Sequence, residues 1–529
     1  MIRISRQKRI GTRAPRRQLA AERPEIQKSA ASTRTYAAYV LGLLTLVNLL
    51  NYLDRNVVYA VFEPIKRDLH LSDAQLGWLG SAYIIVLSLS ALPLGVIGDL
   101  RSRRLVITWG VAVWSAATTA GGIARQFWQL FTCRALVGFG EAGYAPASQA
   151  IIAQYYKGRR RAFAIGVYSV GMALGGVLGI WLGGVIAERY GWRWAFIWMG
   201  LPGLVLAVLA SRLRELDRRP PPPIVDTLRQ WWQHGMHGVT QYVMPLAICA
   251  GIGAALAGFF SLFEGIPSQF GTALFGIGTS VGIAWTVWRL VPLAVRRTTA
   301  AGAVAAGAFD DFQDAAILVL RTPTLIWIFL GGAMVTFAVN GLVAWAAAFM
   351  QRMHGLSVAQ VGAEFGLWAL SGGVLGALVG GRLADRLQHR WHGGRVLTSG
   401  AGFVLGGPVC AALLLVHDLR WFGPLILATY FLYTWYNGPL AAVILDVVPP
   451  AVQASVLGAF VLFSHLAGDA LAPPLIGYLS DRTGDLRTAM LLLPAVGLLG
   501  GLVILIALQT VARDMRRVTA LDIHVSGQG

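Results

Sequence analysis

Fourteen apolar runs follow one another between residues 36 and 511. An α-helix needs about 20 apolar residues to cross a bilayer. Backbone N–H and C=O groups find no water in hydrocarbon, so such runs fold as helices that satisfy their own hydrogen bonds. The expected spans are 36–62, 75–98, 105–123, 127–153, 162–187, 194–211, 241–263, 270–294, 324–350, 359–384, 396–416, 421–448, 455–479 and 488–511. Composition agrees: 56% hydrophobic and only 13% charged residues exclude a soluble fold, and 63 glycines suit close helix packing in lipid. The expected fold class is an all-α polytopic membrane protein.

The formal net charge of +19 does not point to nucleic acid, because no aromatic-rich basic domain accompanies it. The cations sit in short loops and tails. Arg101/Arg103/Arg104, Lys157/Arg159/Arg160/Arg161, Arg296/Arg297, Arg386/Arg390/Arg395, Arg513/Arg516/Arg517 and the N-terminal arm fall on one side when the spans alternate. That side is expected to be cytoplasmic, in an inner (plasma) membrane, with both termini on it. The arm, residues 1–35, carries ten Lys/Arg and two Glu and reads as a basic tail beside anionic headgroups; 512–529 form a second tail. The turn Glu264–Gln269 lacks Lys and Arg, which makes 241–294 an outward hairpin. Cys133, Cys249 and Cys410 lie in apolar runs and read as packing residues with no disulfide role.

The chain repeats itself in the same direction. Leu71-Ser-Asp-Ala-Gln-Leu-Gly77 returns as Leu356-Ser-Val-Ala-Gln-Val-Gly362, and Gly95-Val-Ile-Gly-Asp99 returns as Gly381-Arg-Leu-Ala-Asp385. Glu188-Arg-Tyr-Gly191 is echoed by Asp481-Arg-Thr-Gly484. Three echoes in order, each pair on one membrane side, imply two six-helix bundles in parallel repeat, 36–211 and 324–511. Between them, 212–323 opens on a charged, proline-stiffened linker, holds the extra hairpin at 241–294, and closes with an amphipathic segment at Asp310–Leu320.

Two such halves, with Gly95-x-x-Gly-Asp99-x-x-x-Arg103-Arg104 after the second span and a second copy at Gly381–Arg386, resemble the major facilitator superfamily. Leu100 and Ser102 depart from the usual basic residue and glycine of that loop. The resemblance implies a cytoplasmic gate at Gly95, Asp99, Arg103, Arg104, Gly381, Asp385 and Arg386. Within the superfamily, Asn51-Tyr-Leu-Asp-Arg-Asn56 and Arg134-Ala-Leu-Val-Gly-Phe-Gly-Glu-Ala-Gly143 resemble the spinster-like branch. Symporters of sugar acids and other organic anions share related patterns, and the extra hairpin departs from the usual twelve-span plan.

Asp54, Arg55, Arg134 and Glu141 fall inside apolar runs. A charge at mid-bilayer costs about 2.5–3.5 kcal/mol even on the lenient insertion scale, so the four are expected to face one another or a wet cavity. Counting 1.5 Å per residue puts Asp54 and Arg134 at one depth, roughly 10–12 Å from the outer end, where they could pair; Glu141 follows two turns deeper. Asp54 and Glu141 are candidate proton carriers, with Arg55 and Arg134 as competitors for them or as holders of an anionic substrate. The competing reading is a static ion pair joining spans one and four. His465 and Asp469, spaced i,i+4 in span 455–479, form a second polar site. Asn340, and the face Tyr430, Tyr433, Asn437, are cavity candidates for an amphipathic substrate; core aromatics are the alternative. Glycines 171, 175, 179 and 183 in span 162–187, with 372, 376 and 380 in span 359–384, are expected at the interface of the halves.

These features describe a secondary active transporter that uses alternating access and a proton gradient, needs no cofactor or metal, and works as a monomer among membrane lipids. The resemblance implies a lysolipid or another amphipathic organic anion as substrate. Sugar-acid symport and multidrug–proton antiport are the alternatives. A lipid-modifying enzyme or a channel is a different class, and no nucleophile–base set, metal cluster or P-loop supports an enzyme or an ATP-driven pump.

Overall fold

The computed structural model describes residues 16–100, 102–215, 315 and 317–526, so the expected hairpin at 241–294, most of the segment Asp310–Leu320, and Cys249 lie outside it. The described residues form α1 (Arg16–Ala60), α2 (Phe62–Leu69), α3 (Asp73–Leu100), α4 (Arg103–Gly121), α5 (Phe127–Glu141), α6 (Tyr144–Tyr155), α7 (Arg159–Tyr190) and α8 (Trp192–Ser211). After the linker come α9 (Pro323–His354), α10 (Val358–Arg390), α11 (Gly394–Leu415), α12 (Leu419–Tyr433), α13 (Asn437–Asp446) and α14 (Gln453–Ser464). The last are α15 (Ala472–Thr483), α16 (Leu486–Met490), α17 (Leu492–Ile506) and α18 (Val511–Ser526). Among the described residues, nine helical stretches are long and apolar enough to cross a membrane, two of them, Gln453–Thr483 and Leu486–Gln509, running through more than one of these elements.

Several expected spans are interrupted, and proline explains three of the breaks. Pro146 has no N–H to give the Ala142 carbonyl, and span 127–153 parts into α5 and α6 there. Pro439 does the same to Trp435, and the chain tightens into the 3-10 turn Thr434–Tyr436 between α12 and α13. Pro473 and Pro474 begin α15, behind a π-turn at His465–Asp469. Pro474 leaves the Ala470 carbonyl without its helical donor, and Ser81 Oγ of α3 donates to that oxygen at 2.6 Å.

Helices α1–α8 pack mainly on one another, as α1 does on α7 and α4 on α8, and α9–α18 do likewise, with α17 against α9 and α11. Two crossings, α3 with α15 and α7 with α10, join these N-terminal and C-terminal bundles. Both lie at the end carrying the α2–α3 turn, which the cation pattern predicts to be outer, and which is termed the outer end below.

The crossings are built alike. Ser72 and Gln75 form reciprocal caps at the start of α3, with Ser72 N–H donating at 2.9 Å and Gln75 N–H at 3.2 Å. Ser357 and Gln360 repeat this at the start of α10, at 2.9 and 3.3 Å. A carboxylate from the other bundle completes each end. Asp481 accepts from the N–H groups of Asp73 and Ala74, both at 2.9 Å. Glu188 accepts from the Ala359 N–H at 3.1 Å and from Ser357 Oγ at 2.9 Å. A negative charge at a helix N-terminus is favourable, so each bundle electrostatically seats a helix of the other.

Backbones meet closely there. A Cβ at Gly477 would lie 2.8 Å from the Ala74 nitrogen, and one at Gly184 would lie 2.8 Å from the Val358 carbonyl carbon. Gly77 and Gly362 face Pro473–Pro474 and Ile180–Trp181 in the same manner. These four replace the glycines expected at the interface. Gly171, Gly175, Gly179 and Gly183 face Thr45, Leu49, Leu53 and Val57 of α1, inside the N-terminal bundle. Gly372, Gly376 and Gly380 face Leu427, Phe431 and Trp435, inside the C-terminal bundle. Spans 162–187 and 359–384 do cross, but their long glycine stripes serve packing within each bundle.

Candidate functional site

Asp54, Arg134 and Glu141 are 1%, 1% and 3% exposed, so three ionisable groups of α1 and α5 are withdrawn together from solvent. Their bonds differ from the expected pairing. Asp54 Oδ2 accepts from Thr118 of α4 at 2.5 Å, and Arg134 reaches Asp54 through space alone. None of the three guanidinium nitrogens of Arg134 has a hydrogen-bond partner among the described residues. Its charge instead lies 5.2 Å from the centre of the Tyr83 ring.

Tyr83 of α3 joins the other members. Arg55 Nε donates to Tyr83 Oη at 2.6 Å, and Tyr83 Oη donates to Glu141 Oε2 at 2.5 Å. Arg55 also lies over the rings of Tyr52 and Tyr83, at 5.0 and 4.8 Å. Below the cluster, Tyr144 donates to Asn48 Oδ1, and Asn48 Nδ2 donates to the Tyr168 carbonyl at 2.8 Å.

The second polar site sits on the π-turn. His465 Nε2 is 3.7 Å from Asp469 Oδ2, and His465 Nδ1 is 3.4 Å from Ser88 Oγ of α3. Asn340 and Thr336 of α9 flank the Asp469 carboxyl, whose Oδ1 is buried without a partner among the described residues. Arg55 acts on both His465 and Asp469 electrostatically, and Ser88 touches His465, so the two clusters face each other between the bundles. A π-turn widens the helix by one residue, and such turns concentrate at functional positions.

The expected aromatic face is split by the 3-10 turn. Tyr433 is 1% exposed and stacks on Phe403 with ring centres 4.5 Å apart, so it belongs to the core of its bundle. Asn437 is exposed, and Tyr430 is half-buried edge-on to Phe365. Half-buried Tyr436, which the seven-residue spacing passed over, lies within electrostatic reach of Asp469, as does Tyr59 of α1.

At the loop ends, Gly95 and Gly381 have open space around them. Asp385 binds Arg395 at 3.1 Å, and Arg395 binds Asp446 at 2.5 Å; both are within the C-terminal bundle, while Arg386 is exposed. Arg104 is held at the start of α4 by the Glu215 carboxylate, which also accepts from Ser102 Oγ at 3.2 Å, and Arg103 lies in the same turn. Of Asp99 only the helical backbone is described.

The outer end carries a network that the sequence reading passed over. Arg352 of α9 binds Glu63 at 2.5 Å and grips Asp73 with two bonds of 2.6 and 2.7 Å. Lys66 and Ser480 add bonds to Asp73 at 2.5 and 2.6 Å. Charged residues at span ends were the available signal. For Tyr83, Thr118, Ser81 and Ser88 the signal was weaker, since such residues are common within spans.

The family model described as Major Facilitator Superfamily matches residues 44–234 and 237–468. The chain belongs to the major facilitator superfamily. Among relatives in the superfamily, an MFS-type efflux pump of Mycolicibacterium smegmatis is 28% identical over 91% of this chain and 94% of its own. Protein spinster homolog 1 of Homo sapiens is 25% identical over 93% of this chain and 84% of its own. The crystal structure of a bacterial homolog to the human lysosomal transporter spinster, inward-facing and unoccupied, has the same fold, with a TM-score of 0.66. That structure is 23% identical and covers 90% of this chain and 98% of its own. Superfamily membership makes this multi-pass membrane protein a transporter rather than an enzyme, with its sequence likeness running to spinster homologues.

Proposed function

We propose that this transporter couples proton movement to the passage of an amphipathic organic anion such as a lysolipid, by alternating access between the two bundles. The observation that carries the reading is the cluster of buried Asp54, Arg134 and Glu141 with half-buried Arg55, tied by Tyr83 and facing His465 and Asp469 across the bundle interface. Burying ions is costly unless they are compensated, and a cavity that opens to alternate sides relieves that cost in each state. Asp54 and Glu141 are the proton carriers of this reading. Arg134, whose donors are unbonded among the described residues, and Arg55 hold the anionic group. Asn340, Tyr430 and Tyr436 border the substrate's apolar part.

The same reading includes fourteen spans with the 241–294 hairpin inserted between bundles 36–211 and 324–511, both termini cytoplasmic, an inner-membrane location, a monomeric working unit and no bound cofactor. The outer network and caps then make this the outward-closed state. Asp99, Asp385 and their arginines would close the opposite side.

Purified protein in proteoliposomes under an imposed pH gradient tests this with a panel of lysolipids, sugar acids and amphipathic drugs. Lysolipid uptake that follows the gradient, shows counterflow, and is lost on joint Asp54→Asn and Glu141→Gln substitution is expected. Proton-driven uptake that survives both substitutions would falsify the coupling. Drug efflux is the second reading, favoured by the likeness to the mycobacterial efflux pump; drug movement without lysolipid movement would select it.

A further inference from the structure

The geometry points to Tyr83 as the positioning residue that transmits the protonation state of Glu141 to Arg55, and through Arg55 to the second bundle. This rests on the reading of Glu141 as a proton carrier. Four observations converge. The side chain is 1% exposed, so its bonds do not exchange freely with water. Its hydroxyl bridges Arg55 and Glu141 at 2.6 and 2.5 Å. Its ring meets two guanidinium groups, those of Arg55 and Arg134, at 4.8 and 5.2 Å. Its backbone is fixed by the approach of α5, where a Cβ at Gly138 would lie 3.1 Å from the Leu87 nitrogen.

The hydroxyl works in one direction only. Arginine donates and never accepts, so the phenol oxygen must accept from Arg55, leaving its hydrogen for Glu141. The ionised carboxylate makes both bonds charge-assisted. Glu141 Oε1 has no hydrogen-bond partner among the described residues, with Asn51 beside it, so an incoming proton can settle there without displacing Tyr83. Once neutral, Glu141 no longer holds the phenol strongly, and Arg55 loses its anchor in the N-terminal bundle. His465 and Asp469 feel the charge of Arg55, and Asp469 then competes for it. The other groups bearing on Glu141 are Asp54 and Arg55 of α1 and Tyr144 of α6. Arg134, which acts on Asp54, completes the set from its own helix. Tyr83 is the member that touches Arg55 and Glu141 at once. The same α3 docks on the second bundle through Ser81 and Ser88, so a shift at Tyr83 is felt at both.

The test uses full-length protein in liposomes and needs no substrate. Spin labels at Ile123→Cys and Leu419→Cys, both exposed at the outer end, with the native cysteines replaced, report closure against pH. Infrared difference spectra report the carboxylic C=O band, assigned with Glu141→Gln. Wild type is expected to change its outer distance with pH, and Glu141→Gln to lose that response. Tyr83→Phe should retain the Glu141 band while the distance response flattens or its midpoint moves by about one pH unit. A Tyr83→Phe distance response with the wild-type midpoint and amplitude overturns the proposal and leaves the proton-carrier reading standing. A Glu141→Gln response equal to wild type, or no response in wild type, removes that reading and this proposal with it. Should Tyr83→Phe not fold, 3-fluorotyrosine at position 83 keeps the shape and lowers the phenol's basicity; an unmoved midpoint there is equally fatal.

Discussion

The two crossings at the outer end are near-copies that differ chiefly in what surrounds the first helical residue. Each has a Ser-x-x-Gln cap, a carboxylate from the opposite bundle, and a glycine one turn before that carboxylate: Gly477 and Asp481 at α3, Gly184 and Glu188 at α10. The difference is the first helical residue. At α3 it is Asp73, held by Arg352, Lys66 and Ser480; at α10 it is Val358, and the residue matching Ser480 is Ala187. The shared part is a seat that any rocking of two similar bundles would use. The added part is an ionic lock on one seat only. Closure therefore depends on one crossing more than on the other.

Removing the lock has the largest expected effect. Arg352→Ala leaves the side chains of Glu63 and Asp73, 7% and 3% exposed, without their main cation. Breaking a buried pair costs about 3–5 kcal/mol; Arg352 keeps some solvent contact, so about 3 kcal/mol is the expected loss from the closed state. Spin-label distances across the outer end should then show a majority of open protein. An unchanged distance distribution would place the closing energy elsewhere, at the shared seats.

Adding a methyl group to a seat ranks next. Gly477→Ala and Gly184→Ala each push a Cβ into the facing backbone, which cannot yield as a side chain does; overpacking of this kind costs about 1–3 kcal/mol. If the crossings are mechanically equivalent, the two substitutions shift the closed population equally. A shift for Gly477→Ala alone would show that the α7–α10 contact yields during transport.

The copied parts are legible in the sequence because capping demands particular residues at fixed spacing. Leu71–Gly77 and Leu356–Gly362 announce two helix starts, and Glu188 and Asp481 announce their partners. The ion cluster is legible because charge inside an apolar run has few cheap explanations. Its wiring is not, because Tyr83 and Thr118 look like any polar residue of a span until α3 and α4 are placed beside α1 and α5. The glycine stripes misdirect for a similar reason: a spacing of four marks a close approach and does not say which helix approaches. The face Tyr430–Tyr433–Asn437 fails because it assumes 100° per residue, whereas Pro439 forces a turn of 3-10 geometry that advances each residue by about 120°.

The carboxylate caps should matter less than the lock or the glycines. Asp481→Ala removes two accepted N–H bonds and Glu188→Ala removes one N–H and one hydroxyl bond, both at exposed positions. Cap removal typically costs about 1 kcal/mol. The two should shift closure by similar amounts, with Asp481 slightly ahead for its paired backbone donors.

The smallest change tests the asymmetry itself. Ser480→Ala makes the α3 crossing resemble the α10 crossing at one atom, deleting the 2.6 Å bond to Asp73 Oδ2. That oxygen keeps Arg352 Nη1 at 2.6 Å, so the carboxylate stays compensated and the loss should be about 0.5–1.5 kcal/mol. In the Arg352→Ala background the same deletion strips the hydroxyl from an already underpaired carboxylate, and the cost should rise. A double-mutant cycle read from outer-end distances measures that coupling. Simple additivity would mean that Arg352 and Ser480 hold Asp73 independently, and the lock would then be two separate contacts sharing one residue.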